Sequence, residues 1–171
     1  MRREWKNFHN SQKYSECQLV TALNAYYFLT GKIIKQDSKR YENLVDLCFA
    51  RYGAAININK VHKKLGLKIT KHYISLPNKV RLPLEISVWH KSYGFHSVLI
   101  VDFEPKSKAC RVTNFKMATN TQGWIFHEDL NHLLRVGKGN SIVNSCPKCD
   151  KDKEPRWQYR LFELDKEKKN E

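Results

Sequence analysis

The sequence predicts an α+β domain in which N-terminal helices are followed by an antiparallel β-sheet. Two observations carry that expectation. Up to Gly66, apolar residues recur at three- and four-residue intervals, and the runs stop at Gly31, Gly53 and Gly66. Beyond Gly66 the chain turns to β-branched and aromatic runs joined by short hairpin-type links such as Glu104 to Lys108.

The first helix is expected from Cys17 to Leu29, with Leu19, Val20, Leu23, Tyr26, Tyr27 and Leu29 on its apolar face and Gly31 as its C-terminal stop. A second is expected from Asp37 as N-cap through Tyr41, Leu44, Val45 and Cys48 to Tyr52, and a short third from Asn59 through Val61 and Leu65. Strands are expected at Leu67 to Ile74, Pro83 to Trp89, His96 to Phe103, Cys110 to Phe115 and Arg156 to Leu164, with one helix at Glu128 to Val136. Internal repeats and low-complexity linkers are absent, so the chain reads as one domain over residues 1–165 with a charged, disordered tail at 166–171.

A chain of 171 residues is long enough to bury a core without disulfides or metals. Its five cysteines, Cys17, Cys48, Cys110, Cys146 and Cys149, form an odd set with irregular spacing, unlike a disulfide framework, so at least one thiol should be free. The N-terminus carries charge without the apolar stretch of a secretory signal, and no run approaches the length of a membrane span; a soluble, cytoplasmic protein with no membrane insertion is expected. Lys and Arg outnumber Asp and Glu by 31 to 17, a net charge of +14, which should attract anionic partners. The basic residues are scattered, with short clusters at Lys60 to Lys64 and Lys166 to Lys169. With no basic helix or array of stacking aromatics, direct nucleic-acid binding is not favoured as the main function.

The chemistry-bearing segment is Ser15-Glu16-Cys17-Gln18. It has the form of a capping box, with Ser15 as N-cap and Gln18 reaching back, which places Cys17 in the first helical turn. Unpaired N–H groups and the helix dipole there favour thiolate over thiol. The expected partner is His96, at the head of the strand that starts Phe95-His96-Ser97. If Phe103 and Ala109 flank the hairpin turn as a pair, facing residues sum to about 212. Asn114 then lies diagonally across from His96 on the same face, where its side-chain amide could aim the imidazole. Asp102 is a poor rival, since six strand residues put it roughly 20 Å from His96. Gln12, on the loop approaching the helix, could join the Cys17 backbone N–H as an oxyanion donor. The remaining histidines, His9, His62, His72, His90, His127 and His132, show no spacing that demands a site.

These residues resemble the papain-like cysteine peptidases, especially the compact bacterial branch that includes the double-glycine leader peptidases of bacteriocin exporters. The matching stretches are Gln12 to Asn24, then Gly94-Phe95-His96-Ser97-Val98-Leu99-Ile100-Val101, then Val112-Thr113-Asn114, with Gly123-Trp124-Ile125 ahead of a helix like the end of such a domain. The chain departs from the family pattern in a Gln12-to-Cys17 spacing one residue shorter, in Gln18 where a small residue is usual, and in Phe115 after Asn114. The resemblance implies a papain-like fold with Cys17 as nucleophile, His96 as general base and later acid, Asn114 as orienter and Gln12 as oxyanion donor.

That assignment implies peptide or isopeptide hydrolysis of a protein or peptide substrate, acidic given the basic surface, with no cofactor required. The alternative is a catalytically inactive papain-like module that uses its basic surface to bind nucleic acid or an acidic protein. Cys146-Pro147-Lys148-Cys149 is the competing motif, a Cys-x-x-Cys knuckle that can donate two thiolates to structural zinc. It lacks a second half, so a zinc site would need two further ligands from afar or from a second chain.

Overall fold

The computed structural model describes residues 2–13, 16–49, 57–73, 75–90, 94–130 and 159–168. Three helices precede a sheet: α1 (Cys17–Thr30), α2 (Lys39–Cys48) and α3 (Ile58–Lys64), then β1 (Leu67–Tyr73), β2 (Leu84–His90), β3 (Gly94–Glu104), β4 (Ala109–Thr113), β5 (Trp124–Phe126) and β6 (Tyr159–Leu164). The six strands form one sheet in the order β1-β6-β2-β3-β4-β5, with every pairing antiparallel. The α+β class read from the periodicity is therefore the observed one. β2 to β5 run as a meander, and the last strand enters between β1 and β2.

Local chemistry shifts several boundaries. α1 begins at Cys17 with Glu16, not Ser15, at the N-cap position, and no side-chain cap bond forms there. The Glu16 carboxylate instead turns back to accept the N–H groups of Gln12 and Lys13, both at 3.1 Å. Ser15 lies outside the described residues, as do Cys146 and Cys149. α2 is capped by Ser38 rather than Asp37, through a bond from Tyr41 N to Ser38 Oγ, and it ends at Cys48. Gly31 closes α1 in the left-handed region at φ 74°, as its position after the apolar run foretold. β5 was not expected. The helix expected at Glu128 begins at His127 and is described to Leu130, and the charged end contributes a 3-10 turn at Lys166–Lys168.

The sheet is apolar on both faces. On one side Leu67, Leu99, Val101 and Phe162 pack with α1, α2 and α3; on the other Leu84, Ile86, Val88, Val98, Ile100, Val112 and Leu161 pack with Phe115, Ala118 and Leu130. α1 is buried continuously from Leu19 to Tyr27, which fits a helix covered on all sides rather than an amphipathic surface helix. Burying each large apolar side chain contributes roughly 1.5–3 kcal/mol. Asn24, fully buried, ties the helix to its surroundings: its Oδ1 accepts from His9 N at 2.7 Å, and its Nδ2 donates to His9 O at 3.1 Å and Thr113 Oγ1 at 3.2 Å.

Charge also lies beneath the helical layer. Glu85 on β2 is buried and ion-paired to Arg160, its cross-strand partner on β6. His62 of α3 packs edge-on against Phe162, and its Nε2 is buried without a hydrogen-bond partner among the described residues. Burial, and secondarily the charge of Arg160, lowers the His62 pKa to about 4. An unfolded imidazole protonates near ~6.5, so as pH falls the unfolded state takes up the proton first. Stability should be full above pH ~6.5 and fall by about 3 kcal/mol on approaching pH ~4. Urea denaturation at several pH values checks this: the His62→Leu variant should lose that part of the pH dependence.

Candidate active site

β4 stops at Thr113, paired with Leu99, while β3 continues back to Gly94. From Ser97 toward its start, β3 therefore has an open edge on the β4 side. The first turns of α1 fill it. Thr21 Oγ1 donates to Ser97 O at 3.2 Å, Ser97 Oγ donates to Thr21 Oγ1 at 3.2 Å, and both side chains are buried. Cys17 lies one helical turn before Thr21 on the same face, and the Ser97 backbone N–H reaches its sulfur. Within a strand, the N–H and C=O of one residue point to the same side, so both Ser97 groups that a longer β4 would have taken are met by α1.

His96 precedes Ser97 and is half-buried. It pairs across the sheet with Val88, and alternation gives it the face of Val88, Val98 and Ile100, while Ser97 and Leu99 take the α1 face. Cys17 and His96 thus flank the Ser97 peptide from its two sides. The His96 ring is anchored by Asn114, but not as the sequence suggested. Its Nε2 bonds the Asn114 backbone carbonyl at 2.5 Å. The Asn114 side chain serves Ser11 instead, its Oδ1 accepting from Ser11 N at 2.8 Å and its Nδ2 donating to Ser11 Oγ at 2.8 Å.

Backbone geometry explains the exchange of roles. Asn114 has φ 56°, a left-handed conformation that Asn adopts more readily than most residues. The turn there ends β4 and directs the Asn114 carbonyl to His96 while the amide holds the N-terminal loop. Since a carbonyl only accepts, the neutral imidazole bonded to it carries its proton on Nε2 and its lone pair on Nδ1.

The expected readily ionised thiol at Cys17 is corrected by the structure. Burial raises its pKa above the ordinary thiol value; the N–H groups of Ser97, Gln18 and Cys17 oppose this, and the Glu85 carboxylate adds to it. The helix start does supply donors, as the sequence implied. Desolvation outweighs them, and a buried negative charge lies close enough to act. Cys17 rests as a neutral thiol.

Gln12 is exposed, and what fixes it is its backbone N–H on Glu16. The sequence reading missed Ser11, Thr21, Ser97 and Glu85. Thr21 was legible in principle, four residues after Cys17 and therefore on its face; Ser11 meets Asn114 only through the fold. Among the described residues, no group of three or more His, Cys, Asp or Glu side chains could hold a metal ion, and no helix is long and apolar enough to cross a membrane. In comparison with known proteins, the chain matches no family model, no curated protein and no solved structure.

Because the anchor is a carbonyl, Asn114→Gly, which keeps the left-handed backbone, should leave His96 as the Nε2–H tautomer while loosening the Ser11 loop. Imidazole nitrogen shifts in labelled protein should stay unchanged, and the lost Ser11 bonds should cost about 1–3 kcal/mol in chemical denaturation.

Proposed function

We propose that this chain is a papain-like thiol hydrolase that cleaves peptide or isopeptide bonds in an acidic protein or peptide substrate. The observation that carries the reading is Cys17, first residue of α1, with its sulfur against the N–H groups of Ser97, Gln18 and itself, beside the strand head where His96 is anchored. Cys17 attacks the substrate carbonyl carbon while His96 Nδ1 takes the thiol proton. This is general-base attack by a neutral thiol, not the strike of a standing thiolate. The Cys17 N–H and the Gln12 amide receive the oxyanion. The C–N bond then breaks as the imidazolium returns its proton to the leaving amine, giving a thioester on Cys17. Water, deprotonated by His96, releases the acid and restores the thiol. Asn114 acts as a positioning residue through its carbonyl. No cofactor takes part, and the surplus of 31 basic over 17 acidic side chains favours an acidic substrate.

The raised Cys17 pKa supports a second reading, an inactive papain-like binding module that meets nucleic acid or an acidic protein through its basic surface. The two readings diverge on one experiment, incubation with a proteome-derived peptide library followed by mass spectrometry. The enzyme reading expects cleavage that Cys17→Ala abolishes and His96→Ala lowers by about 10²–10⁴-fold, with both variants folded. Cleavage that survives Cys17→Ala would refute it; no cleavage, with salt-steep binding unaffected by Cys17→Ala, selects the module.

A further inference from the structure

Far from Cys17, near the other end of α1, three arginines converge on one cavity of about 250 Å³. Arg2 and Arg3 come from the N-terminal segment and Arg111 from β4, and Phe8, Phe28 and Val101 supply an apolar wall. Among the described residues a single carboxylate, Asp102, lines it as well; Arg2 Nη2 pairs with Asp102 at 2.8 Å, which leaves positive charge in excess. Asp102 and Arg2 both act electrostatically on Arg111, with opposite signs.

Two of the guanidinium groups, those of Arg111 and Arg3, are held in place before any ligand arrives. Arg111 Nε donates to Gln122 O at 2.9 Å, and its guanidinium carbon sits 4.3 Å from the Trp5 ring centroid and 5.9 Å from that of Trp124. Arg3 Nε donates to Phe28 O at 2.9 Å. Fixing Nε on a carbonyl sets the plane of each fork and reserves the terminal nitrogens for another acceptor. Two glycines make room for this arrangement. A Cβ at Gly31 would come 2.8 Å from Arg3 Nη1, and one at Gly123 would come 2.2 Å from Trp5.

We propose that this cavity binds a phosphate monoester carried on a planar ring. The excess guanidinium charge suits a dianion, the forks suit its terminal oxygens, and the apolar wall suits the ring. The volume falls below the ~300–1,000 Å³ typical of sites for drug-sized molecules, so the ligand is small, or is the tip of a larger molecule.

Phenyl phosphate is the probe, titrated into the full chain by calorimetry and by the fluorescence of Trp5 and Trp124, with inorganic phosphate and phenol as partial mimics. Phenyl phosphate should bind at least about tenfold tighter than either mimic, and Arg2→Gln and Arg111→Gln should each weaken it about tenfold or more. Arg2 is 80% exposed, so its replacement tests the site even where Arg111→Gln fails to fold. Adenosine 5′-monophosphate and a phosphotyrosine peptide then separate a nucleotide source from a protein source, and tight binding of either supports the site. Absence of phenyl phosphate binding, or binding that Arg2→Gln leaves intact, overturns it.

Discussion

The architecture around the candidate site depends on one docking event, the first turns of α1 closing the edge of β3 that β4 leaves open. A β-strand that outruns its neighbour exposes backbone N–H and C=O groups that must find partners. Here a hydroxyl and a thiol from successive turns of one helix meet a single residue, Ser97. The same contact fixes the height of α1 along the strand. It thereby places Cys17 next to the peptide that follows His96. Asn24, two turns after Cys17, holds Thr113 at the end of β4 and His9 in the N-terminal segment, so the helix secures both the strand that stops short and the loop that passes it.

The strand register that brings Asn114 to His96 was legible in the sequence, though for a reason the sequence did not show. The hairpin arithmetic placed Asn114 near His96 with facing residues summing to 212, and the pairs Leu99↔Thr113 and Ile100↔Val112 obey it. Nearer the turn, Glu104 rather than Phe103 faces Ala109, so the sum there is one higher. A bulge between Ile100 and Asp102 absorbs the difference. Two departures from ideal pairing cancel, and the register at the site comes out as expected. The role of the Asn114 side chain was not legible, because its partner Ser11 lies 103 residues earlier in the chain and nothing local announces the contact.

The ionisation of Cys17 shows where local reasoning stops. The helix start, with its unpaired N–H groups, argues for a thiolate, and those groups do oppose the shift. The competing influences are tertiary. The docking that brings Ser97 to the sulfur also removes water from it, and the pleat of β2 places Glu85 on the same face as Ser97 through its pairing with Leu99. A buried thiol beside a buried carboxyl favours the proton on sulfur. Burial alone has the same effect on Cys48 and Cys110, pushed up to about 11 and about 12. What distinguishes Cys17 is not low pKa but the presence of backbone donors, Ser97 N–H among them, at the residue that follows His96. Chemistry there would proceed by proton removal during attack.

The most direct test is the pH dependence of Cys17 alkylation by iodoacetamide, followed peptide by peptide in the folded protein and in Glu85→Gln. The wild type should show a midpoint above the ordinary thiol range near ~8.5, and Glu85→Gln, which lacks the carboxylate charge, a lower one. Fast alkylation of Cys17 at pH 6, or a midpoint unmoved by Glu85→Gln, would contradict it.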